Sequence, residues 1–292
     1  MRILLFGASG QVGRETVEAA ARRGNDLVAL SRDDADLSAA GAGAAAIVAL
    51  KPDAVINAAA WTAVDKAETE QAPARRLNAQ APAELARACV QTGARFIHLS
   101  TDYVFDGAAP GPLDETAPTG PLNVYGATKL EGEGAVLAAH PAAVVIRTSW
   151  VYAAHGANFV RTMLRLAETK PELSIVGDQI GGPTPASAIA EACLDTAARD
   201  GPGGLYHFQG APPVSWADFA EAIFAAADKA VRVKKILTRD YKTPALRPLR
   251  TVLNCAKILK DYGIRQPDWR IGLAGVASRL ENSQQTNGLG KS

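Results

Sequence analysis

The sequence predicts an α/β fold, in which a doubly wound parallel sheet with helices on both faces is followed by a smaller C-terminal α/β lobe. Three observations predict it. Short apolar segments alternate with helix-like segments through the first half of the 292 residues. The first apolar segment runs directly into a glycine-rich turn at residues 7–13. From Asn158 onward the alternation breaks down, which separates a less regular second region from the first.

The first half contains five short aliphatic runs of the kind that form buried parallel strands. These predicted strands are residues 3–6, 27–30, 54–56, 96–99 and 144–146. The predicted helices between them are residues 12–23, 39–50, 75–92 and 125–139. Such an alternation forms a parallel sheet because each connection between parallel strands carries a helix across one face.

The second half has shorter predicted elements, separated by frequent proline and glycine. The predicted helices are residues 159–168, 186–199, 216–227 and 256–262, and the predicted strands are 173–176 and 205–208. We interpret residues 151–280 as a smaller lobe, with residues 183–200 returning to cover the sheet. Residues 281–292 are polar with little to bury, so they predict a flexible tail.

Composition limits the class of protein. Hydrophobic residues make up 48% and charged residues 21%, as in ordinary soluble enzymes. A net charge of +1 gives no general attraction to nucleic acid or to an anionic membrane, and no apolar segment is long enough to span one. The three cysteines are widely spaced without a CxxC pair, which argues against a disulfide framework or a zinc site. We therefore expect a cytoplasmic protein.

The turn at residues 7–13 reads GASGQVG and lies between a predicted strand and a predicted helix. Gly7 permits a tight turn, Gly10 allows the backbone to approach a pyrophosphate, and Gly13 allows the helix to pack closely on the sheet. Free amides at the helix N-terminus favour a negatively charged ligand. The spacing GxxGxxG is the form found in short-chain dehydrogenases, so the turn predicts a Rossmann-type dinucleotide site.

The end of the second strand bears on the choice of dinucleotide. It reads Ala29-Leu30-Ser31-Arg32, where many NAD-binding proteins have an acidic residue for the ribose. A hydroxyl and a guanidinium suit the 2′-phosphate of NADPH, because arginine can bind it through two nitrogens. Asp33 and Asp34 follow at once and could serve NADH instead. We favour NADPH, with use of both dinucleotides left open.

A candidate catalytic group follows the fourth strand. Thr101 and Asp102 lie where that strand ends, and Tyr125 and Lys129 lie one helical turn apart on one face of a predicted helix. Reduction of a ketone leaves an alkoxide that must gain a proton, and a tyrosine hydroxyl can supply it. A neighbouring ammonium would lower the tyrosine pKa. Thr101 could polarise the carbonyl or tune Tyr125.

Together these motifs resemble the dTDP-4-dehydrorhamnose reductase family of extended short-chain dehydrogenases. The resemblance covers nearly the whole chain, and the motifs YGxTKLxGE and STDYVFDG are quite specific. The segments that carry it are residues 7–13, 57–60, 62–68, 100–107, 125–133 and 147–152. It continues through residues 158–159, 178–179, 183–184, 253–254 and 267–269.

The resemblance implies a role for particular residues. The dinucleotide would be bound by Gly7, Gly10, Gln11, Val12, Gly13, Ser31, Arg32, Asp36, Leu37, Ala58, Ala59, Ala60, Tyr125 and Lys129. Thr101, Tyr125 and Lys129 would be the catalytic set. Thr101, Asp102 and Trp150 would contact the sugar of a dTDP-sugar substrate. Residues 1–150 would then form the dinucleotide-binding domain and residues 151–280 the substrate domain.

The reaction that the resemblance implies is reduction of the C4 keto group of dTDP-4-dehydro-L-rhamnose, with the proton from Tyr125. A homodimer and a Mg²⁺ ion are further expectations, but the position of the metal cannot be mapped. The segment 247–251 departs from the family pattern, and Trp61 stands where His or Tyr is frequent. Two alternatives stay open: another nucleotide-sugar reductase or epimerase, and a non-catalytic dinucleotide-binding regulatory subunit. We interpret Trp216 as a core residue.

Overall fold

The computed structural model describes residues 1–289, and the side chains of residues 1–280. Its strands in chain order are β1 (Arg2–Phe6), β2 (Asp26–Leu30), β3 (Ala54–Asn57), β4 (Arg95–Thr101), β5 (Val144–Thr148), β6 (Val151–Tyr152), β7 (Glu172–Val176), β8 (Ile180–Gly181), β9 (Thr184–Pro185), β10 (Gly204–His207), β11 (Val214–Ser215) and β12 (Arg232–Ile236). Its α-helices are α1 (Gln11–Arg23), α2 (Ala42–Leu50), α3 (Val64–Ala67), α4 (Gln71–Arg75), α5 (Ala81–Thr92), α6 (Val124–Ala139), α7 (Phe159–Ala167), α8 (Ala186–Ala198), α9 (Trp216–Ala226), α10 (Ala256–Tyr262) and α11 (Trp269–Leu289).

The central sheet has six strands in the order β10-β5-β4-β3-β1-β2, and every neighbouring pair is parallel. The predicted fold class is confirmed. The connections leave β1 in opposite directions, since β2 lies on one side and β3 on the other. This reversal opens a crevice at the carboxyl ends of the strands, which is where open α/β sheets bind their ligands.

Helices cover both faces of the sheet because its strands are apolar on both sides. Ile3 and Leu5 of β1 pack in a cluster with α1, α8 and α10. Leu4 and Phe6 point the other way and pack in a cluster with α2, α5 and α6. Each layer removes a continuous apolar surface from water, at about 25 cal/mol per Å², and together they hold the strand ends in place.

One predicted strand of the second lobe belongs to the main sheet instead. The segment at residues 205–208 was assigned to the range 151–280 of the second lobe, whereas β10 pairs with β5 along the edge of the main sheet. Its short apolar pattern shows that it is a strand but does not say which strand it pairs with. Helix α8 also packs against the main sheet, through Ile189 and Cys193.

The predicted helix at residues 75–92 is divided. A π-helical turn (Arg76–Gln80) separates α4 from α5, and Pro82 lies in the first turn of α5. Proline has no amide hydrogen to donate and its ring crowds the preceding turn, so a change of helical pitch at this point has a local cause. The turn leaves Asn78 buried, where its amide bonds the backbone of Trp61 and the hydroxyl of Thr128.

The C-terminal lobe packs α7, α9 and the start of α11 around an aromatic cluster that includes Phe219 and Trp269. Strand β12, which pairs in parallel with β7, was not predicted from the sequence. Helix α11 extends into the segment 281–292, for which the sequence predicts a flexible tail. Residues 290–292 lie outside the described residues, and the flexibility of the tail stays a prediction.

Within residues 1–289 no helix combines the length and apolarity needed to cross a bilayer. The three cysteines, Cys89, Cys193 and Cys255, are buried free thiols. Burial raises the pKa of each thiol to about 12. They are therefore packing residues rather than nucleophiles.

Candidate active site

A cavity of about 670 Å³ lies at the carboxyl edge of the sheet. All but one of the residues predicted to bind dinucleotide or sugar line this cavity, although they come from six separate segments of the chain. The exception is Gly13, which lies behind the glycine turn. A Cβ at Gly13 would meet the carbonyl oxygen of Gly7 at 2.0 Å. Gly13 therefore acts through close packing of α1 rather than by direct contact with a ligand.

The glycine turn has the geometry that a phosphate-binding turn requires. Gly7 has a φ of +84°, and a Cβ there would meet the backbone nitrogen of Ala59 at 2.6 Å. Gly10 begins α1 without a side-chain cap, so no side chain of the chain itself occupies the first amides of that helix. The turn thus presents unshielded N–H groups at the positive end of a helix dipole, where an anion is favoured.

The end of the cavity predicted to bind adenosine, called the adenosine end below, lies at the end of β2 and is partly exposed. Ser31, Arg32, Asp36 and Leu37 line it. Asp34 turns back on the chain: one of its carboxylate oxygens accepts from the amide of Ser31 at 2.8 Å and from its hydroxyl at 2.7 Å. These hydrogen bonds hold the pKa of Asp34 below its usual value. The amide and the hydroxyl of Ser31 therefore already donate to the carboxylate of Asp34.

The catalytic end is built by β4 and α6. The side chain of Asn123 accepts from the amide of Gly126 at 2.8 Å and so caps α6, which begins at Val124. Tyr125 therefore lies in the first turn, where its hydroxyl comes close enough to Thr101 at the end of β4 for Thr101 to lower its pKa. One turn later, the ammonium of Lys129 donates to the carbonyl of Leu99 at 2.6 Å. The three predicted catalytic residues converge on one point of the cavity.

The pKa values differ from the sequence expectation. Burial raises the pKa of Tyr125 to about 12, although Thr101 opposes this rise. Burial lowers the pKa of Lys129 to about 8, while the carboxylate of Glu133 opposes the fall. We expected Lys129 to lower the pKa of Tyr125, but burial dominates, and the one contribution that lowers this pKa comes from Thr101. Tyr125 is therefore fully protonated at neutral pH.

Asp102 is a buried carboxylate beside the catalytic group. It accepts hydrogen bonds from the hydroxyls of Thr251 and Thr101, the latter at 3.1 Å. Burial nevertheless raises its pKa to about 6. Thr251 comes from the segment 247–251, so the part of the chain that departs from the family pattern holds a residue next to the site.

A buried ion pair lies beneath Lys129. Glu133, one turn further along α6, binds Arg147 of β5 at 2.6 Å, and its carboxylate also accepts from the hydroxyl of Ser100 at 2.5 Å. Arg147 also lies 5.0 Å from the ring centre of Phe105. This network ties α6 to the ends of β4 and β5, and it fixes the face of the helix that carries Tyr125 and Lys129.

Two stacked indoles form the wall toward the C-terminal lobe. Trp150 has a φ of +47°, which is strained for a bulky residue. Its ring stacks on Trp216 with a centroid distance of 3.5 Å and an angle of 6°. A Cβ at Gly181 would meet the same ring at 2.6 Å. Trp216 packs against the core of the C-terminal lobe, as interpreted from the sequence, and it also lines the cavity. The helix stripe could not show that one ring face is shared with the site.

Some residues near the glycine turn line the cavity although they were not predicted from the sequence. Gly156 and Ala157 line the cavity, and Asn158 donates to the side-chain oxygen of Gln11 at 2.9 Å. The loop that precedes α7 thus contacts the turn at the start of α1. A glycine two residues before an asparagine that caps a helix was the available signal, but this local pattern could not show that the loop contacts a segment about 145 residues away.

The guanidinium of Arg247 pairs with a carboxylate of the protein itself. Arg247, in the segment that departs from the family pattern, binds the carboxylate of Asp65 at 2.9 Å and 3.0 Å. The position of the expected Mg²⁺ ion was left open by the sequence. Within the described side chains, no group of three or more His, Cys, Asp or Glu residues is placed to hold a metal ion.

Comparison with known proteins gives one consistent family. Residues 1–282 match the family model described as RmlD substrate binding domain. The dTDP-4-dehydrorhamnose reductase of Burkholderia thailandensis is 46% identical over 286 residues, which cover 92% of this chain and 96% of the relative.

Solved structures agree with the sequence comparison. A dTDP-4-dehydrorhamnose reductase structure from Clostridium acetobutylicum has a TM-score of 0.91 at 36% identity and covers 96% of this chain and 100% of its own. One from Bacillus anthracis in complex with NADP has a TM-score of 0.87 at 33% identity, with 93% and 96% covered. The chain therefore belongs to the dTDP-4-dehydrorhamnose reductase family.

Proposed function

We propose that this protein reduces the C4 keto group of dTDP-4-dehydro-L-rhamnose to dTDP-L-rhamnose, with a nicotinamide dinucleotide as reductant. The observation that carries the proposal is the convergence of Thr101, Tyr125 and Lys129 in a cavity whose other end is the glycine turn. The acid–base group and the phosphate-binding turn thus open into one space. Family membership supports the choice of the sugar nucleotide.

The residues of the cavity fit a dinucleotide. The uncapped turn at Gly10 would hold the pyrophosphate, and Ser31 and Arg32 would lie at the adenosine ribose. Lys129 uses one of its three N–H groups on Leu99, which leaves donors for the hydroxyls of the nicotinamide ribose. When bound, the dinucleotide supplies the hydride that the keto carbon receives.

Tyr125 supplies the proton in this mechanism. With a pKa of about 12 its hydroxyl carries a proton at neutral pH, and the alkoxide formed from a ketone is a stronger base than a phenolate. Proton transfer from Tyr125 to the C4 oxygen is therefore favourable. The hydroxyl of Thr101, which donates to Asp102 in the free protein, then rotates to donate to the phenolate. Lys129 remains largely protonated below its pKa of about 8, and its positive charge stabilises the phenolate until a proton returns from solvent.

We favour NADPH over NADH. Arg32 lines the adenosine end, where it can bind a 2′-phosphate, and the Bacillus anthracis relative was solved with NADP. Asp34 opposes this choice, because its carboxylate accepts from the amide and the hydroxyl of Ser31 and would repel a 2′-phosphate. Both dinucleotides are therefore expected to support turnover, with NADPH the better of the two.

The test is a reductase assay. Purified protein is mixed with NADPH and dTDP-4-dehydro-L-rhamnose generated in place, and the loss of nicotinamide absorbance is compared with the dTDP-L-rhamnose formed. Equal amounts support the proposal, and repetition with NADH measures the preference. Conversion of the sugar nucleotide into an isomer without net consumption of NADPH would indicate an epimerase. Binding of NADPH without turnover would indicate another keto sugar or a regulatory subunit.

Three further expectations rest on the sequence and the family alone. Repeating the assay with EDTA or with added Mg²⁺ measures the metal dependence. Light scattering on the purified protein measures whether it is a homodimer. The cytoplasmic location follows from the absence of a disulfide framework in the sequence, and cell fractionation tests it.

A further inference from the structure

The hydroxyl of Thr148 is a buried polar group with nothing to bind. Thr148 ends β5 and is 6% exposed. Its Oγ1 has no hydrogen-bond partner in the described part of the chain. Leaving a buried hydroxyl unpaired costs roughly 1–3 kcal/mol, so such a group in a native protein calls for an explanation.

Thr148 lines the active-site cavity, which distinguishes it from other unpaired groups. Four buried side-chain atoms lack a partner among the described residues. The other three belong to Asn25, His98 and Arg250, whereas Thr148 is the one whose residue lines the cavity. Thr148 thus places an unpaired, buried hydroxyl in the wall of that cavity.

The neighbouring hydroxyls already have partners. Thr101 bonds Asp102 and accepts from the amide of Tyr103. Ser149 donates to the carbonyl of Gly182 at 2.7 Å. Thr148 pairs in register with Thr101 on the adjacent strand, so both side chains point to the same face of the sheet, about 5 Å apart. Thr148 thus stands beside the catalytic threonine without sharing its hydrogen bonds.

The position of Thr148 selects one part of the dinucleotide, so the inference rests on the proposed function. The adenosine end lies at β2 and the turn for the pyrophosphate follows β1. The remaining part of the ligand extends along the carboxyl edge past β3 and β4 toward β5. Its nicotinamide ring must lie near Tyr125 for hydride transfer. The polar substituent of that ring is a carboxamide, which has two donors and one acceptor oxygen.

We propose that the hydroxyl of Thr148 hydrogen-bonds the nicotinamide carboxamide. A hydroxyl can donate to the amide oxygen or accept from its NH₂ group. One such bond restricts rotation of the ring about its bond to the ribose. Thr148 is thus a cofactor-binding residue that fixes which face of the nicotinamide is turned toward the keto carbon.

The experiment measures binding rather than turnover. Thr148→Val removes the hydroxyl and keeps the shape, and Thr148→Ser keeps the hydroxyl. NADPH is titrated by fluorescence, and 2′-phospho-ADP-ribose, which lacks the nicotinamide, is titrated in competition. We expect Thr148→Val to weaken NADPH binding about five- to tenfold while binding of 2′-phospho-ADP-ribose changes less than about twofold. Thr148→Ser should stay close to wild type.

A stability measurement separates this role from a structural one. Because Oγ1 has no protein partner, Thr148→Val should leave Tm of the ligand-free protein unchanged or raise it. Thr196→Val is the matched control, since the buried hydroxyl of Thr196 donates to the carbonyl of Ala192 at 2.7 Å. That variant should lower Tm and leave NADPH binding unchanged.

Several outcomes would overturn the proposal. A lower Tm for Thr148→Val would show that the hydroxyl has a structural partner. Equal weakening of NADPH and 2′-phospho-ADP-ribose would show a general distortion of the site. Unchanged NADPH binding with weaker binding of dTDP-L-rhamnose would make Thr148 a sugar contact instead. In each case wild type still binds NADPH, so the proposed function survives, whereas wild type that binds no dinucleotide would overturn both.

Discussion

The two ends of the active-site cavity differ in how far their ionisable groups are buried. At the adenosine end, Asp34 and Asp36 are solvent-exposed, and hydrogen bonds from the nearby backbone and hydroxyls lower their pKa values. At the catalytic end, Asp102 and Lys129 are buried and Tyr125 is half-buried, and removal from water moves the pKa of each toward the uncharged form. The ionisable groups at the adenosine end are hydrated, whereas those at the catalytic end are largely shielded from water.

This difference indicates a division of labour. Interactions at the exposed end are weakened by water and salt, so each residue there contributes modestly to the choice of dinucleotide. At the buried end a single proton or hydrogen bond has a large effect, because little solvent is present to compensate. The catalytic end therefore costs stability in the free protein. Substitutions at the two ends should differ in size and in response to salt.

The largest effect is expected at Tyr125. Tyr125→Phe removes the proton donor and leaves the ring in place, so kcat should fall by about 10³, while the Kd for NADPH stays within about threefold of wild type. Steady-state assays and fluorescence titration measure the two quantities. Turnover close to that of wild type would exclude Tyr125 as the acid.

The next effect is on stability and concerns Asp102. Its pKa rises from 3.8 to about 6 on folding, so the folded protein holds a proton that the unfolded chain has lost. Stability from this group is complete below pH 4 and is lost as pH rises through 6. Asp102→Asn should therefore gain up to about 3 kcal/mol over wild type between pH 4 and pH 7.

Urea unfolding at both pH values measures this gain. Asp33→Asn, at an exposed position near the adenosine end, is the matched control and should show no such pH dependence. A stability difference for Asp102→Asn that is the same at pH 4 and pH 7 would contradict the assignment. The same variant should also bind the sugar nucleotide more weakly if Asp102 contacts the sugar.

A smaller effect is expected at the wall between the two lobes. Trp216→Leu removes the ring that stacks on Trp150, so the strained backbone of Trp150 loses its support. An aromatic pair contributes roughly 0.5–1.5 kcal/mol beyond its buried area, so KM for the sugar nucleotide should rise about two- to tenfold. Trp216→Phe should restore most of the loss. An equal rise in the Kd for NADPH would show a general loss of structure instead.

The smallest effect is expected at Arg32. Arg32→Gln should weaken NADPH binding by up to about fivefold at low salt and leave NADH binding unchanged, because an exposed ion pair contributes little. The difference should shrink at high salt. Lys234→Gln, an exposed substitution on β12, is the control. A salt-independent loss would mean that Arg32 acts through packing rather than charge.

Much of the site could be predicted from sequence because its parts are local. The tight turn at Gly7, the close approach at Gly13 and the pair Tyr125 and Lys129 each follow from spacing along one segment. The parallel order of strands then brings their carboxyl ends together. For this reason all predicted site residues except Gly13 line one cavity.

Other features could not be predicted because they depend on distant segments. Strand β10 joins the main sheet only because the edge of β5 is free to pair with it. Trp216 faces the cavity because α9 docks against Trp150, and Thr251 reaches Asp102 across 149 residues of chain. The expectation about Tyr125 also failed, since the sequence contains the neighbouring charge but not the extent of burial.

The sequence by itself determined the fold class, and it predicted the glycine turn and the candidate catalytic group that meet in one cavity, because each depends on residue types at fixed short spacing. Only the tertiary structure decided the pKa values, the indole wall and the unpaired hydroxyl of Thr148. Those features depend on the distance from solvent and on which distant side chains pack together. Both quantities arise from the summed packing of the whole chain, which no local pattern encodes.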